Sequence, residues 1–293
     1  MTTRLVPVPG DVVTPGMLDA VPPPARRYLD WAGVEGQPIP GSVAQGQLGR
    51  LRSADDKPWR PFVAEENFVT APPGFSWRAR VRVAGMPLVR GWDSYLHGRG
   101  WMQIRLGGVL TIADLHDGPM NQASLLRYLN EMVWFPAAYV LGNIRWAEID
   151  ERTAQVSITD AGLTASGTMR FGHDGRPLEF TALRHRHLGQ GRFSLDRWVT
   201  PYSEYGELSG VRVPTAGWAE YRLPAGPLRY IELRVHAQDD PTGAPRSGQD
   251  ARVWQMLTDP KGYFARARAR ARAEVERDIS ERLRRARRGD VTL

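Results

Sequence analysis

Cysteine is absent from this chain, which excludes disulfides, thiolate metal sites and a cysteine nucleophile at once. Lysine is almost absent: Lys57 and Lys261 are the only two. A Schiff-base mechanism would therefore fall to Lys57, in a polar loop, and no glycine-rich loop followed by a lysine cradles phosphate. The serine nucleophile elbow Gly-x-Ser-x-Gly is missing as well. No apolar run approaches the ~18 residues of a membrane span, and residues 1–11 contain no apolar core of a signal peptide. A cytoplasmic protein is the resulting expectation.

The 293 residues are 42% apolar and 24% charged, enough to bury a globular core. Ten tryptophans suit either a large core or the lining of an apolar binding site. The net charge of +7 is local. From Asp259 onward Lys261 and ten arginines face six acids, so +5 of it belongs to the last 35 residues.

Two short helices are expected at the start. Thr14 can cap a turn ahead of Pro15, and Pro22 to Pro24 can open a second helix that Gly33 ends. From Ser42 to about Gln238 the apolar pattern has mainly a period of two. In the clearest stretch Phe75, Trp77, Ala79, Val81 and Val83 share one face, with Ser76, Arg78, Arg80 and Arg82 on the other. That alternation predicts antiparallel strands with one face in a core and one in water. Further strands are expected at 87–96, 99–105, 109–115, 153–159, 162–171, 177–187, 192–205, 211–223 and 228–237. Turn signals separate them, Asp174-Gly175 being the strongest.

One helical stretch interrupts the strands. Leu125, Leu126, Leu129, Met132 and Val133 recur at three and four within 121–141, and Pro136 kinks or restarts the chain. Residues 239–250 read as a linker. Beyond it Phe264, Ala267, Ala271, Val275, Ile279 and Leu283 predict a basic helix with a weak apolar stripe. The expected organisation is an N-terminal helical segment (1–41), an antiparallel β half-barrel with its inserted helix (42–238), the linker (239–250) and a basic helical tail (251–293). Truncation after Gln238 is expected to leave the sheet folded.

The inserted helix carries a resemblance. Leu126 to Glu131 (Leu-Arg-Tyr-Leu-Asn-Glu) followed by Trp134-Phe-Pro136 resembles the signature of the uncharacterised bacterial family DUF6544. So do Arg26 to Leu29, Trp59 to Pro61, Ala64-Glu65, Gly74-Phe75 with Trp77, Asp93 to Tyr95, Trp146, Tyr205-Gly206, Val213-Pro214 and Trp218. The resemblance covers about 20–237. It implies a mainly β fold, a large curved antiparallel sheet or half-open barrel like that of bacterial lipoprotein carriers, covered by a helix on its concave side. It implies no reaction.

On that architecture the leading expectation is a module that binds a bulky apolar or lipid-like molecule in an aromatic cavity. Trp77, Tyr95, Trp101, Arg127, Trp134, Tyr205 and Trp218 are the candidate ligand contacts. The alternatives are an enzyme using Asp93, Glu131 or Glu204 for acid–base chemistry, and a docking surface for a protein. Arg127 and Glu131, four apart on one helix face, read first as a structural ion pair, with Asp93 or Glu204 as a further partner. His185 and His187 share a strand face but have no further ligand pair, so no metal and no cofactor is expected. The tail arginines diverge around their helix without interleaved aromatics, which disfavours nucleic acid. Self-association or contact with a membrane surface suits that tail better.

Overall fold

A computed structural model of the protein describes residues 7–116 and 118–237, and the linker and basic helix expected further on lie outside them. Thirteen antiparallel strands form one sheet. They are β1 (Ser42–Leu51), β2 (Arg60–Thr70), β3 (Pro73–Val83), β4 (Met86–Leu96), β5 (Arg99–Leu106), β6 (Leu110–Leu115), β7 (Ile144–Asp150), β8 (Thr153–Asp160), β9 (Leu163–Phe171), β10 (Pro177–Gly189), β11 (Arg192–Leu208), β12 (Val211–Leu223) and β13 (Gly226–Ala237). The order across the sheet is 6-5-4-3-2-1-13-12-11-10-9-8-7. The chain thus runs outward from β1 to one edge, crosses to the far edge, and returns until β13 pairs with β1.

The crossing is made by helix α3 (Gly118–Glu131), which packs against β5, β9 and β10 and so bridges the two arms of the curled sheet. Its buried side chains Leu125, Leu126, Tyr128 and Leu129 meet Phe68, Phe75, Tyr95 and Phe180 in the main core. Along α3 the concave face is filled, so the helix does not roof an open cavity there. The helical stretch is also not continuous to Leu141. α3 ends at Glu131 and two 3-10 segments follow, 132–134 and 136–140. The break falls at Phe135 (φ −140°, ψ 63°), because the ring of Pro136 forbids helical backbone in the residue before it.

At the same end the sheet meets itself. The Tyr95 hydroxyl donates to Asp160 Oδ2 at 2.7 Å and the Gly98 amide donates to the same oxygen at 3.1 Å, joining the β4–β5 turn to the β8–β9 turn. Helix α1 (Pro15–Leu18) begins at the Thr14 cap, and α2 (Pro23–Ala32) ends at Gly33 in left-handed backbone. α2 belongs to the main core: Tyr28 stacks on Phe171 at 5.5 Å.

The strands expected from alternation all form. β1, β2 and β7 lie outside the segments singled out. β1 places Gln45, Gln47 and Gly49 on its inner side and so has no apolar period of two, and in β2 the alternation of Phe62, Ala64 and Phe68 is interrupted by Glu66. β7 is an edge strand with only Ile144 buried.

At Gly100 the helix and the sheet leave no room for a side chain, since a Cβ would lie 2.5 Å from Ser124 Oγ and 2.8 Å from Met120 O. Gly100→Val should force α3 off β5 and cost about 1–3 kcal/mol or more, as overpacking does. A thermal melt of the variant checks it, since an unchanged midpoint would mean that α3 docks with slack.

Candidate functional site

Four adjacent strands bring acids and amides to one patch of the inner face. Registers of Gln45 with Glu66, Glu66 with Trp77 and Trp77 with Asp93 run straight across β1, β2, β3 and β4. α3 lies over that row and turns Arg127 and Glu131, one helical turn apart, down onto it. The Arg127 guanidinium donates to three carboxylates: Nη2 to Glu66 Oε1 at 2.7 Å, Nη1 to Asp93 Oδ2 at 2.7 Å, and Nε to Glu131 Oε1 at 2.8 Å. The side chains of Glu66, Asp93 and Glu131 are 0%, 2% and 8% exposed, and that of Arg127 is 14% exposed. The guanidinium also lies over Phe75 (4.8 Å) and Trp77 (5.3 Å). Gln45 and Gln47 donate amide hydrogens to Glu66 Oε2, and Trp77 Nε1 donates to Gln47 Oε1 at 2.8 Å.

One cation among three enclosed carboxylates leaves negative charge in excess. Burial pushes the Glu66 carboxyl well above the usual range, and repulsion from Glu131 adds to that, while Arg127 opposes it. Burial raises Glu131 too, less strongly because Arg127 holds it. Burial works against the charge of Arg127, yet Glu131, Glu66 and Asp93 together keep it well above its ordinary value. The two glutamates therefore retain a proton into a pH range where solvated carboxyls have lost theirs. A second enclosed guanidinium stands nearby: Arg184 donates to Ala123 O (3.3 Å) and Tyr221 Oη (3.1 Å), lies over Trp198 (4.8 Å) and is attracted by Asp93. Asp93 Oδ1 and Glu131 Oε2 are buried without a hydrogen-bond partner.

Of the residues singled out from sequence, Trp77, Asp93, Arg127 and Glu131 meet in this cluster. Glu204 does not: it is exposed and paired with Arg234. Tyr95 is fully buried one inner position along from Asp93, its hydroxyl on Asp160. Trp134 sits at the margin of the main core, 6.5 Å from Phe68. Trp101 is out of phase with Met102, which opposes Asp93, so it faces the other side of the sheet and donates to Asp114. Tyr205 packs on Trp31 at 5.5 Å and Trp218 carries Arg229 over its ring at 4.4 Å, both away from Arg127. His185 and His187 pack beside Phe193, and among the described residues no group of three or more potential ligands is arranged to hold a metal.

Glu66, Gln45, Gln47 and Arg184 escaped the sequence reading. For Glu66 a signal exists: Phe62, Ala64, Glu66 and Phe68 alternate onto one face, so a carboxyl stands where an apolar residue is due. The glutamines have no such signal, since only the pairing of β1 with β2 turns them inward.

A profile described as a family of unknown function, DUF6544, matches residues 11–233. No curated protein matches the chain. Two solved structures are similar over most of their length. One is a LolA superfamily protein from Nitrosomonas europaea, at 12% identity and a TM-score of 0.38, covering 79% of this chain and 96% of that one. The other is a DUF1329 family protein from Desulfovibrio piger, at 10% identity and a TM-score of 0.37, covering 81% and 99%.

The cluster sets two expectations for stability. Arg127→Met would strand three buried carboxyls and should cost ~3–5 kcal/mol near pH 7. Glu131→Gln leaves Arg127 paired twice over and should cost much less. The pH dependence carries the sign. Glu66 and Glu131 titrate above the 4.5 of a free glutamate when folded, so the stability they contribute is complete below that pH and is lost as pH rises. The melting temperature of Glu131→Gln should fall less between pH 5 and pH 8 than that of the unmodified protein, whereas Arg127→Met should fall more. Parallel profiles for all three would refute the charge assignment.

Proposed function

We propose that this chain, which belongs to the DUF6544 family, binds an apolar, lipid-like molecule along the part of its concave face beyond the Arg127 cluster. The observation that carries the reading is a second apolar cluster, made only of strand side chains, whose buried residues are distinct from those of the main core and which meets that core at Trp77 and Ile231. Phe62, Ala64, Ala79 and Val81 form its buried floor, and Leu51, Trp77, Val89, Ile231 and Leu233 surround them half-exposed. The main core is capped by α3 and α2, whereas every member of this second cluster comes from the sheet itself.

Half-exposed apolar side chains on a concave surface favour an apolar occupant. Each 100 Å² of such surface covered is worth roughly 2.5 kcal/mol. Gly91 helps to shape the trough, since a Cβ there would lie 3.1 Å from the Trp77 ring. Trp77 belongs to both regions: its ring edges the trough and its Nε1 is tied to the Arg127 cluster through Gln47. A ligand with one polar end would lay that end toward this junction. Candidate contacts are thereby reduced to Trp77, Arg127 and the half-exposed strand residues.

A catalytic reading would draw on the burial that pushes the Glu66 and Glu131 carboxyls upward. Both carboxyls are enclosed, so chemistry on a bound molecule would require α3 to lift. Their first role is to hold the helix.

The experiment is a titration of the full chain with N-phenyl-1-naphthylamine, a neutral apolar fluorophore, beside mass spectrometry of solvent extracts of the purified protein. Saturable fluorescence enhancement is expected, with Leu233→Glu weakening it at least tenfold while the variant melts within a few degrees of the parent. No saturable binding and no extracted apolar molecule would contradict the proposal. Equal binding by a folded Leu233→Glu protein would move the site elsewhere.

A further inference from the structure

At one edge of the sheet two neighbouring hairpins end in apolar side chains that no element among the described residues covers. Met86, Leu106, Val109, Leu110 and Ile112 are all exposed, Val109 to 88%. They lie at or near two adjoining turns. Leu106 pairs with Leu110, Val83 pairs with Met86, and Gly107 donates its amide to Leu88 O at 2.7 Å, which ties the β5–β6 turn to the start of β4. β6 is an edge strand, where exposed apolar residues invite unwanted pairing unless they serve a purpose.

Beside the patch, on the outer face, runs a row of arginines. Arg80 faces Arg90 and Arg90 faces Arg105 directly across β3, β4 and β5. Arg80, Arg82 and Arg90 are exposed, and the acid nearest to Arg80 is Glu65 at 3.7 Å. Like charges in direct register weaken a sheet. Arg80 is offset by its ion pair with Glu65 and Arg105 by stacking over Trp92 at 5.7 Å, while the exposed Arg90 between them has no acid beside it among the described residues, so the row favours a negative counterpart outside the fold. Apolar tips flanked by arginines match an anionic lipid surface, with the tips entering the acyl boundary and the guanidiniums meeting the head groups. A nucleic acid would satisfy the arginines and leave the tips in water.

We propose that the ends of the β3–β4 and β5–β6 hairpins dock this protein on an anionic membrane surface. The docking does not depend on what the trough holds. It concerns the described sheet and not the basic segment near the C-terminus.

Co-sedimentation of the full chain with vesicles of phosphatidylcholine alone, or with 30% phosphatidylglycerol, tests it. Binding to the anionic vesicles is expected to exceed binding to the neutral ones by about tenfold and to fall as salt rises. The Val109→Ser/Leu110→Ser/Ile112→Ser variant should lose at least tenfold, and Arg80→Gln/Arg90→Gln should lose most of the preference for anionic lipid. Should the triple variant fail to fold, Val109→Asp in the turn makes the same test at an exposed site. Failure of the unmodified chain to bind, or variants that bind as it does, would overturn the proposal. So would a triple variant that turns a dimer into a monomer while vesicle binding is unchanged, which would assign the patch to a second copy of the chain. Each of these outcomes leaves dye binding in the trough unaffected.

Discussion

One buried guanidinium fixes how this sheet is closed. A strand order that runs outward on one side and inward from the other leaves β6 and β7 as free edges, and the chain between them must cross the concave face. α3 makes that crossing, and Arg127 clamps it to β2 through Glu66 and to β4 through Asp93. Apolar packing alone would let the helix slide along its axis, because dispersion and burial are indifferent to register. Two charge-assisted hydrogen bonds to separate strands are not. The third, from Glu131 on the helix itself, holds the guanidinium in place. Removing two acids and an arginine from water is costly, and adding a third acid raises the cost, so the cluster is better understood as specifying one docking geometry than as a net source of stability.

That clamp divides the concave face. On one side α3, α2 and inner positions of β2 to β4 and β7 to β12 build a filled core, rich in Phe and Tyr. On the other, among the described residues, strand side chains pack on one another, and Leu51, Trp77, Val89, Ile231 and Leu233 are only partly buried, Trp77 and Ile231 touching the main core as well. Trp77 stands at the boundary, with its ring beside the apolar floor and its Nε1 in the polar network. The hairpin ends bearing Val109 and Leu110 continue from the same strands that wall the trough: Leu106 pairs with Val89. The apolar trough and the exposed tips are therefore neighbouring parts of one arm of the sheet.

Much of the architecture was legible in the residues. The alternation of β3 marks a sheet with one wet face, and the spacing of Leu125, Leu126 and Leu129 marks the crossing helix. Arg127 with Glu131 follows from helix spacing, but the further partner stayed open between Asp93 and Glu204, and it is the strand pairing that brings Asp93 to Arg127 and leaves Glu204 with Arg234. What alternation could not supply is which strand lies beside which. Glu66 is 61 residues from Arg127 in sequence and meets it only because β2 neighbours β3. Gln45 and Gln47 look like loop or surface residues until the pairing of β1 with β2 turns them inward. Tyr205 and Trp218 matched the family signature as well as Trp77 did, yet they answer to local packing, with Trp31 and with Arg229, far from Arg127. A signature of residue types carries no information about which of them face each other.

The proposed ligand, an apolar molecule, would lie against the partly buried strand residues around Phe62 and Val81. Photolabelling the full chain with a diazirine-bearing alkyl probe, followed by peptide mapping, locates the bound molecule residue by residue. The expected labels fall on β13 around Ile231 and Leu233 and on β4 around Val89. Labels confined to α2 and α3, or to the outer face of the sheet, would contradict it.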